Sequence, residues 1–294
     1  MITTIIKTMR PAFLIFGFVC VLLAVASVHY IVPDITTLFL ITLGAITAHI
    51  SVNMLNEYHD FKSRLDFNTS RTPFSGGSGA LPQNPQYENA VFITALMAVA
   101  ITIVIGIYFL FEVGAILLIP GLLGIAIIIT YTPIINRHPW LCLVAPGAGF
   151  GLIMINMIAW ILSNNLSLQT LLYSLIIFFL ANNLLLLNQI PDIEADIKAG
   201  RKHLPAYYGI NISRLFFAIN ITMAALIIVI SSLLVPMIPT ASLLALLPLA
   251  LSIFSLRALI NFGADIAKRP QYLAMNVVSV LLTPLALSIG ELLS

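Results

Sequence analysis

Residues 171–196 read Leu171-Leu-Tyr-Ser-Leu-Ile-Ile-Phe-Phe-Leu-Ala-Asn-Asn-Leu-Leu-Leu-Leu-Asn188-Gln-Ile-Pro-Asp192-Ile-Glu-Ala-Asp196, an uncharged apolar run that passes directly into an acidic end. A helix needs about 20 apolar residues to cross a bilayer. Similar runs are centred near residues 21, 46, 100, 123, 152, 224, 249 and 281. With 60% hydrophobic residues, 8% charged residues and a mean hydropathy of +1.07, a water-soluble domain would have nowhere to hide its apolar surface. The alternation of a β-barrel is absent, so the spans are helices. The expected fold is all-α: a polytopic bundle of about nine transmembrane helices around a central cavity open to one side, with residues 1–294 forming a single transmembrane domain.

Threading about nine spans in order gathers all thirteen basic residues on one face. Lys7 and Arg10 come first, then Lys62, Arg64 and Arg71, then Arg137, then Lys198, Arg201, Lys202 and Arg214, and last Arg257, Lys268 and Arg269. The opposite connections, near Pro33, Glu112, Asn164, Pro236 and the C-terminus, carry no Lys or Arg. The positive-inside rule makes the basic face cytoplasmic, so an inner-membrane protein with its N-terminus inside is expected. Lys7 and Arg10 before an apolar stretch, with Ala24-Val25-Ala26 after it, imitate a secretory signal. With so many spans downstream, this segment reads as an uncleaved first helix. Cys20 and Cys142 lack metal-ligand spacing and read as small buried hydrophobes.

Two acidic segments interrupt this apolar chain, Asn56-Glu-Tyr-His-Asp60 with Asp66 behind it and Asn188-Gln-Ile-Pro-Asp192 with Asp196 behind it. At about 100° per helical residue, His49, Asn53, Asn56 and Asp60 share one stripe, which must face the bundle interior or a water-filled cavity. His49 and Asn53 can equally serve as interhelical hydrogen-bonding groups. Asp66 turns off the stripe. On the sixth span Asn182, Gln189, Asp192 and Asp196 share a broad face, with Pro191 kinking or restarting the helix and Asp192 open to a capping role. Glu194 points away from them.

Paired carboxylates at a membrane boundary, with basic residues close behind, suit a magnesium-bound diphosphate. Mg²⁺ is commonly held by one or two carboxylates plus substrate phosphate oxygens. Arg71, Lys198, Arg201 and Lys202 would add positive charge there, or serve only to set topology. The segment from Arg71 to Pro82 is rich in glycine and reads as a lid, a phosphate cradle or a linker. Tyr131 offers an aromatic face at the same depth, or an interfacial anchor.

These residues together make the chain resemble the UbiA superfamily of intramembrane prenyltransferases over nearly its whole length. The segment from Asn188 to Lys202 is similar to the second motif of the branch that prenylates 1,4-dihydroxy-2-naphthoate on the way to menaquinone, and Arg10-Pro11 and Tyr131-Thr-Pro133 also fit. The resemblance implies that Asn56, Asp60, Asp192 and Asp196 hold Mg²⁺ and diphosphate, with Asp66 as the distal acid of the first motif. It further implies that Arg71, Arg201 and Lys202 bind diphosphate oxygens and that Tyr131 lines the prenyl carbocation. Arg64 stands where many relatives have a second acid, and Ile134-Ile-Asn-Arg137 departs from their basic, proline-rich pattern.

The expected function is Mg²⁺-dependent transfer of a polyprenyl group from its diphosphate to an aromatic acceptor, in quinone biosynthesis of the menaquinone type. 4-Hydroxybenzoate, a lipid or a tetrapyrrole are alternative acceptors. The expected partners are polyprenyl diphosphate, the acceptor and the lipid bilayer, with no nucleic acid. A secondary transporter is the rival from another class, but transporters place ionisable groups near the bilayer midplane, whereas these acids cluster at one boundary. The topology is checked by thiol labelling. Single cysteines placed in the 58–89 loop should react only from the cytoplasmic side, and reaction from outside would overturn the assignment.

Overall fold

The computed structural model describes residues 1–69 and 71–293, and among these it is helical throughout with no strand. Helices α1 (Ile2–Thr8) and α2 (Pro11–Ala26) meet at Arg10 with a bend of 51°. The first motif ends α3 (Ile35–Lys62), followed by the short α4 (Leu65–Asn68) and α5 (Ala80–Gln83). Helix α6 (Glu88–Val113) turns back through α7 (Leu118–Thr130). Helices α8 (Pro139–Pro146) and α9 (Asn156–Ser163) form one rod through a π-helical stretch, Gly147–Ile155. The second motif closes α10 (Leu168–Asn188) and opens α11 (Ile193–Lys198). The remainder is α12 (Leu204–Leu234), α13 (Leu246–Leu249), α14 (Leu251–Phe262) and α15 (Pro270–Leu292).

Local chemistry sets the helix starts. Asp34 caps α3 by accepting from the Thr36 and Thr37 amides, both at 2.9 Å, and Ser167 caps α10 through Thr170 N at 3.0 Å. Pro11, Pro139 and Pro270 stand at or next to the first helical position, where a missing N–H costs nothing. Among the described residues, seven helical stretches are long and apolar enough to cross a membrane, or eight if the bent α1–α2 pair counts as one span. The expected nine is thus approximate. The remaining rod is α7, whose 13 residues extend only about 20 Å.

The spans are apolar on their outer surfaces too, with Phe39, Val104, Phe111, Ile119, Leu233 and Leu247 all exposed, as an integral multi-pass membrane protein requires. Helix α10 lies at the centre, packed against α12, α15, α8 and the π-helical stretch. It is tied there by polar bonds in an apolar setting. The Asn182 Oδ1 accepts from Gly147 N at 2.8 Å, satisfying an amide where Pro146 and the widened turn disturb the helix ladder. Asn183 donates to Phe217 O at 3.0 Å and accepts from Asn220 at 2.8 Å, joining α10 to α12. Asn182 therefore serves packing and does not line the cavity with Gln189, Asp192 and Asp196. Asn182→Leu should cost about 1–3 kcal/mol by leaving the buried Gly147 amide bare. Thermal unfolding in detergent checks this, and an unchanged midpoint would contradict the bond's role.

Candidate active site

A cavity of about 560 Å³ runs between α3, α7, the π-helical stretch and α10, and both motifs open onto its polar end. His49, Asn53, Asn56 and Asp60 all stand on its wall, because three- and four-residue steps along α3 keep them on one face. Asn53 donates to Met9 O at 3.0 Å, and Asn56 donates to Thr132 Oγ1 at 3.1 Å while accepting from Arg10 at 3.3 Å. His49 is buried with no partner for Nδ1, and its ring meets Phe150 edge-on at 4.8 Å. Tyr131 lines the same cavity at the end of α7.

The two motifs meet through Arg201. Its guanidinium pairs with Asp60 of the first motif and, at 3.0 Å, with Asp196 of the second. Burial works against the Arg201 charge, but Asp60 and then Asp196 outweigh it and hold the guanidinium above its ordinary range. The other Asp196 oxygen lies 2.8 Å from His203 Nε2. The short helices that follow the motifs, α4 and α11, pack against one another, so the two halves close on a shared site.

The glycine-rich segment crosses this site. Gly76 N donates to Asp192 Oδ2 at 2.9 Å, while Ser78 bonds Glu57 through its amide at 2.7 Å and its hydroxyl at 2.6 Å. Glu57 is fully buried and also pairs with Arg10 at 2.6 Å. Gly77 has φ of +70°, and a Cβ there would stand 2.7 Å from Asp66 Oδ1. Glycine is required on both counts. Asp66 itself is turned inward by Arg64, which adopts φ of +60° and breaks the helix before α4. This correction to the helical-wheel reading leaves Asp66 buried beside the cavity wall.

Three basic residues lie apart from the cavity. Arg71 is exposed and donates to the Asp66 backbone carbonyl at 2.9 Å. Lys198 and Lys202 are exposed and do not line the cavity. Residues two apart on a helix do not share a face, so Lys198 opposes Asp196. Gly200, at φ of +77°, turns the chain, and Arg201 and His203 then face inward while Lys202 faces out. Sequence reasoning did not place Arg10, Glu57, Asn188 or His203 in the site. Glu57 lies within the first motif, but only the loop folding back on it reveals its use.

The donors fit a hard cation. Both oxygens of Asp66, Asp192 Oδ1 and Asn188 Oδ1 are buried without hydrogen-bond partners. Among the described residues no three acidic, histidine or cysteine side chains are grouped closely enough to enclose a metal alone. Mg²⁺ behaves in keeping with that, taking few protein oxygens and completing its shell with water and substrate phosphate.

Acidic helix ends facing one another over an apolar cavity, within a bundle of membrane-spanning helices, define the class: an integral membrane protein with a polar site at the end of an apolar chamber. The chain belongs to the UbiA prenyltransferase family, whose sequence pattern matches residues 14–280. It is 31% identical over 210 residues to the 1,4-dihydroxy-2-naphthoate octaprenyltransferase of Bacillus subtilis (strain 168), a match covering 68% of this chain and 64% of that relative. Its fold is similar to that of a digeranylgeranylglyceryl phosphate synthase (TM-score 0.70, 15% identity, 100% of this chain and 99% of the other). A UbiA homologue from Archaeoglobus fulgidus bound to DMAPP and Mg²⁺ is also similar (TM-score 0.66, 13% identity, 97% and 99%). So is the apo UbiA homologue from Aeropyrum pernix K1 (TM-score 0.70, 16% identity, 96% and 98%).

Burial pushes the Asp66 carboxyl up to about 8; Asp60 and Glu57 add to this, and Arg10 and Arg71 oppose it. Between the ordinary value of 3.8 and about 8, the folded chain holds a proton that the unfolded chain has released, so stability falls as pH rises through that window. In chelator, the unfolding midpoint of the wild type should therefore fall relative to Asp66→Asn from about pH 5 to 8. Parallel curves would show that Asp66 is not a buried, strained acid.

Proposed function

We propose that the protein transfers a polyprenyl group from its diphosphate to an aromatic ring, with magnesium, in menaquinone-type quinone biosynthesis, and that residues 1–294 act as one prenyltransferase domain. The observation that carries this reading is the joining of both acidic motifs, through Arg201, at the polar end of an apolar cavity. The octaprenyltransferase relative supports the naphthoate acceptor, and the homologue bound to DMAPP and Mg²⁺ supports the metal. The basic face with its motifs is assigned to the cytoplasm and the bundle to the inner membrane, on the charge segregation of the sequence.

Asn56, Asp60, Asp192 and Asp196 would hold Mg²⁺ and the diphosphate, with Asn188 and Asp66 supplying the further oxygens that lack partners. Bound magnesium would neutralise charge on the departing diphosphate as the allylic C–O bond breaks. Arg201, already between the motifs, can turn one N–H edge to a phosphate oxygen. The amides of 76–78 come from a loop that already donates to Asp192 and Glu57, and they form its lid. Tyr131 presents its ring to the allylic cation. Phe16, His49 and Phe150 form an aromatic wall deeper on α2, α3 and the π-helical stretch, suited to a planar acceptor. The ring carbon attacks the cation and a new C–C bond forms; a simple aromatic acceptor then loses the displaced ring proton, whereas 1,4-dihydroxy-2-naphthoate gives a menaquinone-type product by losing its carboxylate as carbon dioxide. Each buried methylene of the prenyl tail would contribute about 0.8 kcal/mol to binding, which suits a cavity lined mainly by apolar side chains.

Purified protein given Mg²⁺, a labelled polyprenyl diphosphate and a panel of aromatic acceptors should prenylate 1,4-dihydroxy-2-naphthoate. A product formed only with 4-hydroxybenzoate, a lipid or a tetrapyrrole would reassign the acceptor. Asp60→Ala and Asp192→Ala should each lower turnover by roughly 10²-fold or more in folded protein, and near-normal turnover in either would refute the metal site.

A further inference from the structure

We propose that His203 is a positioning residue that locks the distal carboxylate of the second motif, and that it does so by dividing its two ring nitrogens between a helix cap and Asp196. The inference rests on the reading of Asp196 as a metal and diphosphate ligand.

His203 is the residue before α12, with an extended backbone (φ −70°, ψ 168°), and only 1% of it is exposed. Its Nδ1 accepts from the Ala206 amide at 3.2 Å, capping the helix. A nitrogen that accepts carries the lone pair, so the single proton of the neutral ring is assigned to Nε2. That nitrogen lies 2.8 Å from Asp196 Oδ2 and donates to it. The cap alone does not account for a histidine, because serine, threonine, asparagine and aspartate fill this role in most helices. What histidine adds is a second nitrogen, rigidly held on the far side of the ring.

Asp196 is thereby fixed at both oxygens, Oδ1 by Arg201 at 3.0 Å and Oδ2 by His203 at 2.8 Å. The two partners differ in kind. Arg201 is charged and shared with Asp60, so it competes with any cation for the same acids. Neutral His203 brings no net charge and leaves a lone pair on Oδ2 free for a metal. It orients the carboxylate at no electrostatic cost to cation binding, as groups behind metal ligands commonly do, where their loss lowers metal affinity about 10–100-fold.

The two duties of the ring are separable by substitution. His203→Asn and His203→Ser retain a short capping oxygen for Ala206 but cannot reach Asp196, whereas His203→Gln carries an N–H donor to about the Nε2 position and loses the cap. Mn²⁺ binding is measured by electron paramagnetic resonance on the full chain in detergent, with inorganic pyrophosphate, and thermal midpoints are measured alongside. The expected order of Mn²⁺ affinity is wild type and Gln together, with Asn and Ser about 10–100-fold weaker. The midpoints are expected to fall in all three variants, in Gln through the lost cap and in Asn and Ser through the bared Asp196 oxygen, so that the split appears in Mn²⁺ affinity. Wild-type affinity in His203→Asn or His203→Ser would overturn the proposal, as would weakened binding in His203→Gln equal to theirs. Wild-type protein that takes up no Mn²⁺, or Asp196→Asn that binds it undiminished, would instead strike down the metal reading on which the proposal stands.

Discussion

The structure depends on one guanidinium. Arg201 sits between Asp60 and Asp196, at the meeting point of two helix ends that bring several buried carboxylates together, with Arg10 on Glu57 as the second cation of the seam. A buried acid left without its partner is strongly destabilising, so a cation built into the seam favours closure of the two halves of the bundle. The same arrangement makes the seam a natural place for a metal-bound anion. On the proposed function, substrate and metal would bring their own balance of charge and leave Arg201 free to share itself with phosphate oxygens.

The loop from Gly76 to Ser78 extends that logic from charge to shape. Its amides already donate to carboxylates of both motifs' neighbourhoods, Asp192 on one side and Glu57 on the other. Glu57 in turn fixes Arg10, so the start of α2, the end of α3 and the second motif are coupled through a few short hydrogen bonds. Flexible sequence is thereby given a defined seat, and the glycines are needed because Asp66 and Arg71 lie directly against the backbone there.

The general plan was legible in the sequence. Apolar run lengths gave most of the spans, and the stripe from His49 to Asp60 lies on the cavity wall as helical periodicity requires. What escaped was whatever depends on a break in periodicity or on distant chain. Asp66 was read through a continuous helix, yet the left-handed turn at Arg64 returns it to the interior. Lys198 and Lys202 share composition with Arg201 but not direction, since the turn at Gly200 sorts inward from outward residues. Glu57 and Arg10 acquire each other only through tertiary contact, and His203 meets Asp196 only because the turn at Gly200 folds the chain back on α11. Asn182 was grouped with the acids by angle, but its partner is a backbone amide on a neighbouring helix.

Helix α7 has consequences for the surrounding lipid. With its leading turn it runs Ala115–Thr130, about 25 Å and so roughly 5 Å short of a typical hydrocarbon core, and it forms one side of the cavity. Lipid beside it must thin, or its headgroups must dip, to match that length. The deformed patch adjoins the compartment where an isoprenoid chain would lie, so bilayer thickness becomes a physical variable of the protein, set by the acyl composition of the membrane.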